Sequence, residues 1–107
     1  MKYFNFFLIF AVWSCAGHTQ VADDYFEQGA YDEAIVSYSN YLSGHGPTVA
    51  LLYNRGRSFE EIGKYENALN DFQKILELDK KNIKAQTSIA KVKYESGDFE
   101  QAVLAAQ

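Results

Sequence analysis

VALLYNRGRSFEEIGKYENALNDFQKILELDKKN, residues 49–82, is the stretch that decides the fold. Its second half places Tyr65, Ala68, Leu69, Phe72, Ile75 and Leu76 at spacings of three and four, the period of one helix face. Its first half puts Leu51, Leu52, Phe59 and Ile62 on a comparable stripe, interrupted by Arg55 and Gly56. Between the halves lies Gly63-Lys64, where a glycine in the left-handed conformation can end a helix. The pattern predicts two antiparallel helices, and Asp79-Lys80-Lys81-Asn82 supplies a polar break before Ile83 opens the next. Small residues at Gly56 and Ala68 suit a close helix crossing, because overpacking such a place costs about 1–3 kcal/mol. Phe59, Tyr65 and Phe72 fill the wider gaps and read as core.

The pattern returns along the chain. Gly29, Gly63 and Gly97 are 34 residues apart, as are Tyr31, Tyr65 and Phe99, and also Ala34, Ala68 and Ala102. Ala22, Gly56 and Ala90 keep the same interval. Recurrence at a fixed period without insertion marks stacked supersecondary units. The units run over 15–48, 49–82 and 83–107, after a separate segment 1–14.

Leu52, Asn54, Gly56, Phe59, Gly63, Tyr65, Ala68, Phe72 and Leu76 resemble the tetratricopeptide repeat, a helix-turn-helix unit of this length. The likeness covers the middle unit and the third unit to Gln107. In the first it is good from Gly29 to Leu42 and weak from Cys15 to Gln28, where His18 takes a usual large apolar position. Arg55 replaces a usual leucine and Lys80 a usual proline. The resemblance implies an all-α, right-handed superhelix of helix pairs, packed through Gly56, Phe59, Gly63, Tyr65, Ala68, Phe72, Ala90, Gly97, Phe99 and Ala102. It also implies a concave groove, lined by the first helix of each pair, that receives a peptide or a partner helix.

Carried onto this sequence, the family's groove positions fall on Thr19, Asp23 and Glu27 in the first unit, and on Tyr53, Asn54, Arg57 and Glu61 in the second. In the third they fall on Lys84, Thr87, Ser88, Lys91 and Glu95. Co-chaperones of this family clamp a C-terminal carboxylate with two lysines, two asparagines and an arginine; only Asn54 and Lys84 match that set, so the clamp is not expected. Arg57, Lys84 and Lys91 converge beside Tyr53 and Asn54, which predicts a preference for an acidic peptide, while Asp23 and Glu27 repel one and set its direction. The competing reading is that these bases keep a helix face soluble.

Repeats bury their apolar faces only against neighbours. The run Gln101-Ala102-Val103-Leu104-Ala105-Ala106 contains no glycine, proline or polar cap, so the stack is expected to be incomplete at its C-terminal end, or covered there by a partner.

At the other end, Lys2 precedes an apolar run from Tyr3 to Trp13 broken only by Asn5, then Ser14 and Cys15. A charged start, a short apolar core and small residues form the layout of an export signal. The run is shorter than the roughly 20 residues that span a bilayer. Val12-Trp13-Ser14-Cys15 resembles the lipobox of bacterial lipoproteins, although Trp13 stands where that family has a small residue. The resemblance implies lipid on the Cys15 thiol and anchoring to a membrane; ordinary cleavage after Ala16 is the alternative. Export to the periplasm or outer membrane is expected, or else secretion.

Composition excludes several classes. Apolar residues make up 48% and charged residues 22%, ordinary for a folded domain. A net charge of -4 argues against nucleic acid. One cysteine permits no internal disulfide and no paired-cysteine metal or redox site. His18 and His45 lack metal-ligand companions, and Gly44-His45-Gly46-Pro47 reads as a turn. Asp23-Asp24 and Glu60-Glu61 read as solvated helix faces. No catalytic residue, cofactor or small-molecule substrate is expected. From 49 onward nine acids balance nine bases, while residues 16–48 hold five acids and no lysine or arginine. The expected function is therefore a protein-interaction scaffold of the bacterial cell envelope, or the N-terminal repeat segment of a larger envelope protein whose enzymatic or peptidoglycan-binding domain lies beyond Gln107.

Overall fold

A computed structural model describes residues 19–97 and shows, within them, five helices and no strand. Residues 19–27 are helical (α1), followed by α2 (Tyr31–His45), α3 (Val49–Glu61), α4 (Tyr65–Leu78) and α5 (Ile83–Glu95). The segment 1–14, Cys15, His18, Phe99 and Ala102 lie outside the described residues. No helix among those described is long and apolar enough to cross a membrane.

The turns explain the recurring glycines. At the end of α1 the Ala30 N–H reaches back to the Tyr25 carbonyl at 2.8 Å and the Gly29 N–H to that of Phe26 at 3.1 Å. The end of α3 repeats this with Lys64 to Phe59 at 2.9 Å and Gly63 to Glu60 at 3.0 Å. This double bond pattern needs a left-handed residue just after the helix, and Gly29 and Gly63 have φ of 76° and 79°. A Cβ added at Gly63 or Gly97 would meet nothing within 4 Å. Their contribution is therefore backbone conformation, and the expected packing role at these two positions is replaced by a turn role. Thr48 and Asn82 begin α3 and α5 by accepting the Leu51 and Ala85 N–H at 3.2 and 2.9 Å. The turn expected at Gly44 starts later: α2 continues through His45, and Gly46, with φ 76°, closes it by bonding to the Leu42 carbonyl.

Two apolar clusters hold the helices together. Leu52, Ala68, Phe72, Ile75, Ala85, Ile89 and Val92 join α3, α4 and α5, while Ala22, Ala34, Tyr38 and Leu51 join α1, α2 and α3. Leu42 packs against both. Phe59 and Tyr65 are half-buried against the first cluster. Gly56 is buried where α3 crosses α4, and Ala90 is half-buried. A Cβ built on Gly56 would stand 2.7 Å from Phe72 Cε1, and the Phe72 ring is completely buried. Glycine inside a helix costs about 1 kcal/mol relative to alanine, yet here the missing Cβ is what allows the crossing. Gly56→Ala is accordingly expected to destabilise by about 1–3 kcal/mol despite its better helix propensity. Thermal unfolding checks this, and an unchanged or raised melting temperature would mean that Phe72 has room to retreat.

Candidate functional site

On the face shared by α3 and α5, a pocket of about 250 Å³ opens between Tyr53, Arg57 and Glu60 from α3 and Ile83, Lys84, Thr87, Ser88 and Lys91 from α5. Residues four apart on each helix face the gap, and Thr48 and Asn82 set where each helix starts. Of the residues expected to form a groove, this brings together Tyr53, Arg57, Lys84, Thr87, Ser88 and Lys91. Asn54 and Glu61 do not line it: Glu61 is exposed, and Asn54 Nδ2 turns toward α1, donating to Asp23 Oδ1 at 3.4 Å.

Glu60 belongs to the pocket and was not expected there. Its side chain is only 2% exposed, so the reading of Glu60-Glu61 as a solvated face fails for Glu60. Glu60 Oε2 lies 2.9 Å from Lys91 Nζ, and Oε1 lies 3.5 Å from Arg57 Nε. Lys91 also reaches Glu95 at 3.4 Å, and Arg57 reaches Glu61 at 3.8 Å. Hydrogen bonding to Glu60 holds the Lys91 ammonium above its usual pKa; a bond to Tyr53 does so for Arg57, whose Nη1 donates to the phenol oxygen at 3.4 Å. The expected cluster of three converging bases is thereby altered, because Arg57 and Lys91 are already paired inside the protein. Lys84 enters no ion pair among the described residues; its ammonium lies 5.6 Å from the Tyr53 ring centroid, a favourable cation–π distance. Beside it Ile83 is 74% exposed.

The sequence did contain a trace of this. Glu60 falls 34 residues from Phe26 and from Tyr94, so a carboxylate occupies an aromatic register position. Arg55 likewise stands in the register of Val21 and Ile89. It forms a fork with Asp71, Nε to Oδ2 at 2.8 Å and Nη2 to Oδ1 at 2.7 Å, while Nη1 donates to Ser39 Oγ at 3.1 Å.

Asp23, expected as a free groove charge, is instead a structural acceptor: the buried Tyr38 hydroxyl donates to Oδ1, the oxygen that Asn54 also reaches. The solvated reading of Asp23-Asp24 therefore fails for Asp23, and of the two acids expected to repel a ligand only Glu27 is exposed. Burial, and then Asp23, push the Tyr38 phenol well above its ordinary pKa. A raised folded-state pKa means that stability is intact below the unfolded value of about 10 and declines as pH rises past it, because only the unfolded chain releases the proton readily. Lys91, also raised, acts in the same direction. Tyr38→Phe is expected to cost about 1–3 kcal/mol near neutrality, through loss of the Asp23 bond, and to flatten the decline above about pH 10. Denaturant titrations at several pH values test both. A variant as pH-sensitive as the parent would place the alkaline transition elsewhere.

His45 is exposed at the end of α2, stacked on Tyr41 at 4.1 Å between centroids. Among the described residues no group of three or more His, Cys, Asp or Glu could hold a metal ion.

The helical fold agrees with comparisons to known proteins. The tetratricopeptide-repeat family profile matches residues 49–82. Mouse Sperm-associated antigen 1 is 38% identical over 60 residues, 56% of this chain but only 6% of that much longer protein. The second tetratricopeptide-repeat domain of Spaghetti (RPAP3), bound to the HSP90 peptide SRMEEVD, superposes with a TM-score of 0.74 at 24% identity, covering 84% of this chain and 83% of that one. The second such domain of human RPAP3, in complex with the HSP70 peptide SGPTIEEVD, does so with a TM-score of 0.67 at 26% identity, over 84% and 81%. The fold is that of an all-α tetratricopeptide helical repeat, and residues 49–82 are one such repeat.

Proposed function

We propose that this protein is a non-catalytic scaffold whose α3–α5 groove binds a short acidic segment of a partner protein. The observation that carries the reading is the pocket itself: two helices supply facing side chains around about 250 Å³, with the Lys84 cation in no ion pair among the described residues and the exposed Ile83 next to it. Lys84 offers charge, while Tyr53 and Ile83 offer apolar surface, which suits a peptide that alternates acidic and aliphatic side chains. The solved neighbours, which hold peptides ending in EEVD, support this class of ligand. An exposed charge mainly sets encounter rate and register, so binding is expected to weaken with salt.

The heptapeptide SRMEEVD is a suitable probe. Lys84→Glu is expected to weaken its binding about three- to tenfold and to reduce the salt dependence, since reversing one exposed charge changes the pair energy by about 1 kcal/mol. Lys84 is preferred to Lys91 for this test because reversing Lys91 would strand the buried Glu60. Titration calorimetry at two ionic strengths reads both quantities. Equal affinity and equal salt response in parent and variant would move recognition elsewhere.

We infer also that the scaffold works in the bacterial cell envelope, exported by the segment 1–14 and held by lipid on Cys15. Support comes from Lys2, the apolar run to Trp13 and the lipobox-like Val12-Trp13-Ser14-Cys15. Mass spectrometry of the mature N-terminus is expected to find an acylated cysteine. A first residue of Gly17 would replace lipid anchoring by secretion.

A further inference from the structure

The buried end of Glu60 makes a finer distinction than net charge. Its Oε2 is held by Lys91, but its Oε1 is buried and accepts no hydrogen bond; Arg57 Nε beside it, at 3.5 Å, is buried and donates none. Buried polar atoms are nearly always paired, and leaving one unpaired costs free energy. The two atoms face each other as an ion pair shut off from solvent, so a carboxylate of the protein itself already stands between the two cations at the floor of the pocket. A carboxylate fits poorly there. It would bring two further acceptors against Glu60 Oε1, and would have to draw Lys91 and Arg57 away from a carboxylate they already hold. Crowding of negative charge is present even in the free protein: burial and the neighbouring Glu60 raise the Glu95 carboxyl above its usual pKa. Like charges set close together disfavour a wrong ligand strongly.

We propose that Glu60 is a specificity-determining residue: its carboxylate fills the Arg57–Lys91 site from within, so the groove takes an internal stretch of acidic peptide and refuses a free C-terminal carboxylate. This rests on the acidic-peptide reading above and names which part of the peptide is recognised. Acidic side chains of the ligand meet Lys84 at the rim, while its uncharged backbone lies over the neutralised Arg57–Glu60–Lys91 cluster. The arrangement accounts physically for a groove that has cations yet lacks the residues of a carboxylate clamp.

The test uses the full chain and SRMEEVD synthesised as the free acid and as the C-terminal carboxamide. The parent protein is expected to bind the carboxamide about five- to tenfold more tightly than the acid. Glu60→Gln, which keeps the shape and removes the charge, is expected to bring the two within about twofold by improving the acid, a change of ratio that general loss of structure does not produce. The parent comparison needs no variant, so it decides the matter even if Glu60→Gln unfolds. A parent that prefers the free acid, or a ratio unchanged by Glu60→Gln in a folded variant, would overturn the role of Glu60 and leave the peptide groove standing. Binding of neither peptide to the parent would overturn the groove reading, and this inference with it.

Discussion

Asp71→Ala is expected to lower stability by about 3 kcal/mol, because it leaves the Arg55 guanidinium in a mostly dry place without its carboxylate. The Asp71 side chain is 6% exposed and that of Arg55 17%, and their two short bonds form a fork. Forming such a pair contributes little net stability, since desolvating two charges offsets most of the attraction. Removing one member leaves the desolvation cost uncompensated. For a domain of this size the loss corresponds to a fall in melting temperature of roughly 12–24 °C. Arg55→Leu alone is expected to do comparable harm by stranding Asp71. Arg55→Leu with Asp71→Leu is expected to recover most of the loss, since Arg55 stands in the register of Val21 and Ile89 and apolar residues can replace a buried pair. Thermal melts of the two single variants and the double variant test this. A double variant as unstable as the sum of the singles would show that the pair is needed for more than mutual neutralisation.

Phe72→Ala is the second large change, with an expected loss of about 3–5 kcal/mol. The Phe72 ring is wholly buried, and it lies against Gly56 and tilted toward Tyr53 at 6.0 Å between centroids. Truncation therefore opens a cavity at the α3–α4 crossing and slackens the wall of the groove. The interaction with Gly56 gives a sharper check than size alone. In the parent, Gly56→Ala collides with the ring; with the ring gone, the added methyl meets space and recovers up to about 1 kcal/mol of helix propensity. The substitution should thus change sign, destabilising the parent and stabilising Phe72→Ala. Contacting residues commonly couple by about 0.5–3 kcal/mol, so additivity in this double-mutant cycle would exclude the close approach as the reason for the glycine.

Lys84 and Glu60 show why a groove is harder to read than a fold. Helical spacing places Tyr53, Arg57, Lys84, Thr87 and Lys91 on related faces, but spacing carries no information on whether a cation is free. Arg57 meets Glu60 within α3, but Lys91 meets it only because α3 and α5 pack side by side with their registers aligned, which brings residues 31 positions apart within bonding distance. Asp23 misled for the same reason, since its partners Tyr38 and Asn54 lie 15 and 31 residues away.

By itself the sequence determined the repeat, the turn glycines and the buried stripe. Each depends on local rules: a side-chain period near 3.6, the freedom of glycine at positive φ, and the exclusion of apolar surface from water. Gly63 and Phe72 needed no distant information to be placed. The tertiary structure alone decided that Arg57 and Lys91 of the pocket are paired while Lys84 beside them is not, among the described residues, and that Gly56 is required by a particular ring. Those outcomes depend on distances between helices, and a charge changes from surface to structure when packing removes its water and supplies a partner.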